Sequence, residues 1–272
     1  MDIDDILASV DRTDPSTPES AALDHQLLTR FWVAERGVSE LLPWPAPLME
    51  RILARLRHQI ETIEDLAATS SDPTLTTSNP NPVPATTTLK LSILQTDLAR
   101  TQYLLRTLHR QRLSKLTKHS MHYLQLISPL PHSQPSQSQS QSQPETQPID
   151  SVPVPDLSHG KSTAPLSASE VSFLHAHQTL LANHHGASFL SSFPPQLRRL
   201  DDNAGGTSMV QGPELKEVVF VRCLVEEVRV VVPPGDGVEE ETLGTTMRMG
   251  DVWAVRWEGV VGAWGRGEVE VL

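Results

Sequence analysis

Cysteine is almost missing from this 272-residue chain: Cys223 stands alone, so no internal disulfide can form and an intracellular setting is expected. Long apolar runs are missing too. None approaches the ~20 residues that a bilayer-spanning helix needs, so no membrane partner is expected. The start, Met1-Asp2-Ile3-Asp4-Asp5, is acidic where a signal or transit peptide is basic. Positive charge is in short supply, with 22 Lys and Arg against 33 Asp and Glu and a net charge of -11. That balance argues against a chain whose main task is gripping a phosphate backbone, although a local basic surface stays open.

Chemistry-bearing constellations are scarce as well. Cys223 alternates with Val219, Val221 and Val225, which puts it on an apolar strand face where thiols usually pack. His175, His177, His184 and His185 cluster in sequence. Yet seven residues of helix separate His177 from His184, about 10.5 Å along the axis and too far for one metal ion. Gly205-Gly206 lacks the Lys-Ser/Thr of a phosphate loop and reads as a hinge. Asp201 and Asp202 read as solvated charges or as contacts for Arg198 and Arg199. No catalytic, cofactor-binding or metal site is expected, and the chain is not expected to be an enzyme.

What is present is helix, then strand. Ile3, Ile6, Leu7 and Val10 share one face of a short N-terminal helix flanked by Asp2, Asp4, Asp5 and Asp11. Carboxylates suit a helix N-terminus. A helix below roughly 12 residues is marginal alone. With the Pro- and Ser-containing tether that follows, residues 1–18 read as a flexible segment that orders in another protein's groove. The spacing of Leu23, Leu27, Leu28 and Phe31 predicts a helix over Ala21–Glu35. Leu48, Ile52, Leu56, Ile60 and Ile63 predict a second from Pro47 to Ala68. Between them, Trp44 sits among Pro43, Pro45 and Pro47 on a rigid corner, the setting of a packing anchor. Leu91, Leu94, Leu98, Leu105 and Leu108, mostly spaced by three, four or seven, predict an unbroken helix over Thr88–Ile127, which would be about 60 Å long and would need partner chains to cover part of it. It carries a basic run: Arg100, Arg106, Arg110, Arg112, Lys115 and Lys118.

Residues 129–162, with a pure Ser/Gln stretch from Ser136 to Gln143, read as a disordered insertion inside one domain. Ser167-Ala168-Ser169-Glu170 has the form of a capping box opening a further helix. The period then changes. Strands are expected over Val218–Val225, Val228–Val232, Thr245–Met249, Val252–Trp257 and Val269–Leu272, with a turn at Gly250-Asp251. The expected class is therefore α+β multidomain. An all-α bundle over 19–203 is joined by a linker at 204–211 to a small all-β domain over 212–272. From Gly212 onward twelve acidic residues face six Lys or Arg, a balance unsuited to nucleic acid.

Several segments together carry a resemblance. They are Asp2-Ile3-Asp4-Asp5-Ile6-Leu7, Phe31-Trp32-Val33-Ala34-Glu35-Arg36, Glu40-Leu41-Leu42-Pro43-Trp44-Pro45, and Ile93-Leu94-Gln95-Thr96-Asp97-Leu98. Later come Lys118-His119-Ser120-Met121-His122-Tyr123-Leu124, Phe189-Leu190-Ser191-Ser192-Phe193-Pro194-Pro195, and Gly250-Asp251-Val252-Trp253-Ala254-Val255-Arg256-Trp257. In order and spacing the chain resembles the fungal Sld-five subunit family of the eukaryotic GINS DNA replication complex.

The resemblance implies a helical A domain and a β-rich B domain. It implies a nuclear heterotetramer with three paralogous subunits, which joins Cdc-forty-five and the MCM ring in the replicative helicase. This subunit would be non-catalytic there and would meet DNA only indirectly. It further implies that Ile3, Asp4, Asp5, Ile6 and Leu7 dock on a trimeric hub of the Ctf-four type. Partner contacts are expected at Trp32, Trp44, Leu94, Leu98, Arg106, Arg110, Val269, Val271 and Leu272. Two readings compete with the scaffold: a DNA-binding factor using the basic run, and a hydrolase with a site among His175 to His185.

Overall fold

The computed structural model describes residues 18–71, 85–127, 165–194, 210–232 and 243–272. The short helix expected over residues 1–10, the insertion expected over 129–162, the hinge expected at Gly205-Gly206 and the residues 198–202 lie outside the described residues. The fold is α+β: mostly helical, followed by small antiparallel sheets. The described residues fall into two compact units. One lies within Met1–Val38, Pro45–Gln111 and Val218–Leu272, the other within Ser39–Trp44 and Arg112–Glu217.

In the first unit the expected apolar stripes become helices α1 (Pro18–Gly37) and α2 (Ala46–Ser71) and most of α3 (Ala85–Lys118). Leu28, Phe31, Ala34 and Val38 are the buried side of α1, and Leu48, Met49, Ile52 and Leu56 that of α2. One buried charge ties the two together. Asp24 of α1 accepts from Arg51 at 2.9 Å and from Arg55 at 3.1 Å, both on α2. Further along, Gln59 of α2 donates to the Leu94 carbonyl of α3 at 3.0 Å.

The strands of this unit are β1 (Val218–Cys223), β2 (Glu227–Val232), β3 (Leu243–Arg248), β4 (Val252–Arg256) and β5 (Val269–Val271). They form two antiparallel sheets, ordered β4-β1-β5 and β2-β3. The Gly250-Asp251 turn is present, with Gly250 at φ 86° and Asp251 accepting from the Arg248 N–H. It carries the chain from one sheet to the other rather than closing a hairpin, because β3 pairs with β2 and β4 with β1. Cys223 N–H to Asp251 O and Gly250 N–H to Cys223 O, both 3.0 Å, anchor it to the end of β1. The glycine-rich approach to β5 holds a short helix, α6 (Val261–Gly265), and the buried Trp257 and Val260 beneath it. Helix α1 packs on β5. Arg30 meets Glu270 at 3.0 Å, and a Cβ on Gly37 would stand 3.1 Å from Val271.

The second unit holds the end of α3, then α4 (Ser120–Ile127) and α5 (Ala168–Ser188). The single long helix expected over Thr88–Ile127 is therefore interrupted, at His119. No Gly or Pro marks the place. Tertiary hydrogen bonds converge on it instead: His119 Nδ1 lies 3.2 Å from the Gln211 carbonyl, Gln178 donates to Ser120, and the Leu41 N–H donates to the Tyr123 hydroxyl at 2.9 Å. Sequence periodicity carries no sign of such bonds. Leu41, Leu116, Tyr123, Leu124, Ile127, Leu166, Val171 and Leu174 form one buried cluster.

Candidate partner-binding surfaces

The capping box at the start of α5 is present in full: Ser167 Oγ accepts from the Glu170 N–H, and Glu170 accepts from the Ser167 N–H at 2.8 Å. Glu170 has a second task. Arg112, 1 % exposed, donates to it through Nε at 2.7 Å and Nη2 at 3.0 Å. The same guanidinium donates to the Leu42 carbonyl at 2.8 Å and stacks over the Trp44 indole, 5.1 Å from its centroid. Burial opposes the Glu170 charge, but the Arg112 guanidinium and the Ser167 donors outweigh it and hold the carboxyl below its usual range. Trp44, half-buried, thus packs against Arg112 of its own chain.

This arrangement corrects the basic run. Arg112 belongs to the interior, and half-buried Lys115 donates to the Glu40 carbonyl at 2.8 Å. Arg106 and Arg110 are exposed, and Arg106 donates to Gln102 at 3.0 Å. Two of the five cations that the DNA-binding reading needs are thus engaged with protein, which weakens that reading. His177 stacks on Phe173 and His184 lies against His185, and among the described residues no group of His, Cys, Asp and Glu could hold a metal ion. Cys223 is buried on β1, its expected packing position. No helix among the described residues is long and apolar enough to cross a membrane.

The remaining sequence-derived positions separate by exposure. Val269 and Val271 are buried at 3 % and 2 % in their own unit, while Leu272 is exposed. Leu94 and Leu98 are half-buried. Trp32 is half-buried beneath the Arg36 guanidinium, and its enclosed indole N–H has no hydrogen-bond partner among the described residues. Ile3, Asp4, Asp5, Ile6 and Leu7 lie outside the described residues.

What the sequence reasoning missed is a more open apolar surface. On α3, Leu89, Ile93 and Tyr103 are 62 %, 59 % and 60 % exposed. Leu89 and Ile93 are one turn apart, and Tyr103 follows Leu89 by two seven-residue steps, so the three share a stripe. Leu53 and Ile60 on α2 and Leu23 and Leu27 on α1 are exposed in the same unit. In the other unit Leu180, Phe189 and Phe193 stand out, and the two phenylalanine rings meet edge to face. The signal was available in part: Leu89 and Ile93 fall off the Leu91-Leu94-Leu98 stripe. A small recess in the first unit, about 300 Å³, has Leu28, Ile52 and Leu56 at its floor and Arg55, Gln59, Asp97 and Arg100 among its walls.

A helical bundle followed by small antiparallel sheets, with large apolar side chains open to solvent, presents the kind of surface that protein partners cover. Comparison with known proteins narrows it. Residues 59–189 match the GINS complex protein helical bundle domain, and residues 213–272 match the C-terminus of the DNA replication complex GINS protein SLD5. The DNA replication complex GINS protein SLD5 of Chaetomium globosum is 37% identical over 225 residues, covering 82% of this chain and 80% of the relative. That of Yarrowia lipolytica is 30% identical over 261 residues, 96% of this chain and 81% of the relative. That of Schizosaccharomyces pombe is 28% identical over 204 residues, 75% and 72% respectively. The chain belongs to the SLD5 family of GINS proteins.

Proposed function

We propose that this chain is a non-catalytic structural subunit of a GINS heterotetramer in the nucleus. Residues 19–203 serve as its A domain, 204–211 as a linker and 212–272 as its B domain. The tetramer works with Cdc-forty-five and the MCM ring in assembling the replicative helicase, in initiation and in fork progression. DNA is met indirectly, through that assembly.

One observation carries the reading: the exposed stripe of Leu89, Ile93 and Tyr103 on α3, joined in the same unit by Leu53 and Ile60. Apolar side chains left open along one helix stripe mark a protein contact. Burying each such side chain is worth about 1.5–3 kcal/mol. The three paralogous subunits supply the cover. Arg106 and Arg110, exposed on the same helix, provide a polar rim of the sort that surrounds an apolar contact. Leu94, Leu98 and Leu272 extend the contact from half-buried or exposed positions. Val269 and Val271, already covered, act by holding the β5 edge in place, and Trp32 and Trp44 act by fixing the backbone behind the surface.

The test is co-expression with the three paralogous subunits followed by native mass measurement. A 1:1:1:1 complex supports the reading; a chain that purifies alone despite folded partners refutes it. The hub contact is tested separately. Changing Ile6 and Leu7 to Ala is expected to weaken binding to a trimeric Ctf-four-type hub by about tenfold or more while leaving the tetramer intact. Calorimetry showing unchanged hub affinity rejects that assignment.

A further inference from the structure

Ser and Thr are followed directly by Gln seven times in this chain. Six of these dipeptides fall within fifteen residues: Ser133, Ser136, Ser138, Ser140, Ser142 and Thr146 are the acceptors. The seventh, Thr101-Gln102, lies inside α3. There Thr101 is half-buried and its hydroxyl donates to the Asp97 carbonyl at 3.1 Å. Between Pro135 and Pro148 no apolar residue occurs, so nothing in that stretch is called on to build a core. Its two flanks are tied to one place. Ile127 before it and Leu166 after it sit in the same buried cluster, and Arg112 donates to the Pro165 carbonyl.

We propose that residues 133–147 are a multisite phosphorylation segment for a Ser/Thr protein kinase that reads glutamine immediately after the acceptor. A single such dipeptide has little information. Six, at mostly two-residue spacing, give one kinase many registers on the same short peptide. In each transfer the acceptor Oγ attacks the γ-phosphorus of Mg-ATP. The Oγ–P bond forms, and the bond from the γ-phosphorus to the bridging oxygen breaks with its electron pair leaving on ADP. The hydroxyl proton passes to the kinase's catalytic carboxylate. Each phosphate adds about -1.5 to -2 charges at pH 7. Six would take the net charge from -11 to about -20 or beyond, all of the change concentrated on one segment.

The test uses the 272-residue chain, Mg-ATP and a purified kinase whose consensus is Ser/Thr-Gln, with sites mapped by mass spectrometry. Phosphate is expected on several acceptors between 133 and 147 and none on Thr101. A variant with the six following glutamines changed to Asn keeps every acceptor and the polar composition. Its incorporation is expected to fall by about tenfold or more, since a pocket shaped for one side chain discriminates against a shorter one on that scale. Three results overturn the proposal: no incorporation in the natural chain, equal incorporation in the Asn variant, or phosphate on Thr101 in preference to the cluster.

Discussion

Replacing Arg112 with alanine is expected to destabilise the chain by about 3–5 kcal/mol, the cost of breaking a buried ion pair by removing one partner. The side chain is 1 % exposed and serves Glu170, the Leu42 carbonyl and the Trp44 ring together. Its loss strands a largely buried carboxylate and frees the proline corner at one stroke. Urea unfolding at neutral pH reads the effect directly, and a loss under about 1 kcal/mol would show the pair to be dispensable.

Acid provides a second reading of the same pair. Because the folded-state pKa of Glu170 lies below its ordinary value, its contribution is present above the unfolded carboxylate pKa. It is lost as the pH falls through the folded value. In Arg112→Ala the Ser167 donors still favour the Glu170 carboxylate, but the guanidinium that offset its burial is gone, so the carboxyl is held down less. The gap in stability between natural and variant chains is therefore expected to narrow on going from pH 7 to below about pH 4. Adding Glu170→Gln to Arg112→Ala should recover part of the loss at pH 7. A gap that stays constant with pH would detach Glu170 from the effect.

The second large effect falls on assembly and spares the fold. Changing Leu89, Ile93 and Tyr103 to Asp leaves the isolated chain within about 0.5 kcal/mol per site of its starting stability, because all three are already open to water. Binding to the partner subunits is expected to fall by roughly a thousandfold or more, since three apolar side chains at about 1.5–3 kcal/mol each are withdrawn from the contact and replaced by charge. Retained co-purification of all four subunits would remove the stripe from the interface.

Local rules reached far into this molecule, and their reach stopped at contacts distant in sequence. Ser167 and Glu170 are three residues apart, so the capping box was legible and is present. The alternation of Val219, Val221 and Cys223 placed the thiol on the buried face of β1, where it lies. Arg112 and Glu170 are 58 residues apart, and in sequence Arg112 belonged to a basic run like any other. The hydrogen bonds gathered at the interruption beside His119 reach Leu41, Gln178 and Gln211, none of them near in the chain. Gly250-Asp251 announced the turn between β3 and β4 but not that each of these strands pairs with another, because pairing partners are chosen across the sheet. The partner surface shows the same division. Periodicity picked out Leu94 and Leu98, the half-covered side of α3, and left Leu89 and Ile93 off that stripe, but that these two and Tyr103 stay open became visible only once the helix had neighbours.

The claim beneath all of this is that α3 shows more apolar surface than its own chain covers, and that sister subunits cover it. Hydroxyl-radical oxidation of Leu89, Ile93 and Tyr103, measured by mass spectrometry on the chain alone and in the co-expressed tetramer, tests it most directly. The account predicts ready oxidation of the lone chain and strong protection in the complex. Side chains equally oxidised in both, or already protected in a monodisperse monomer, would contradict it.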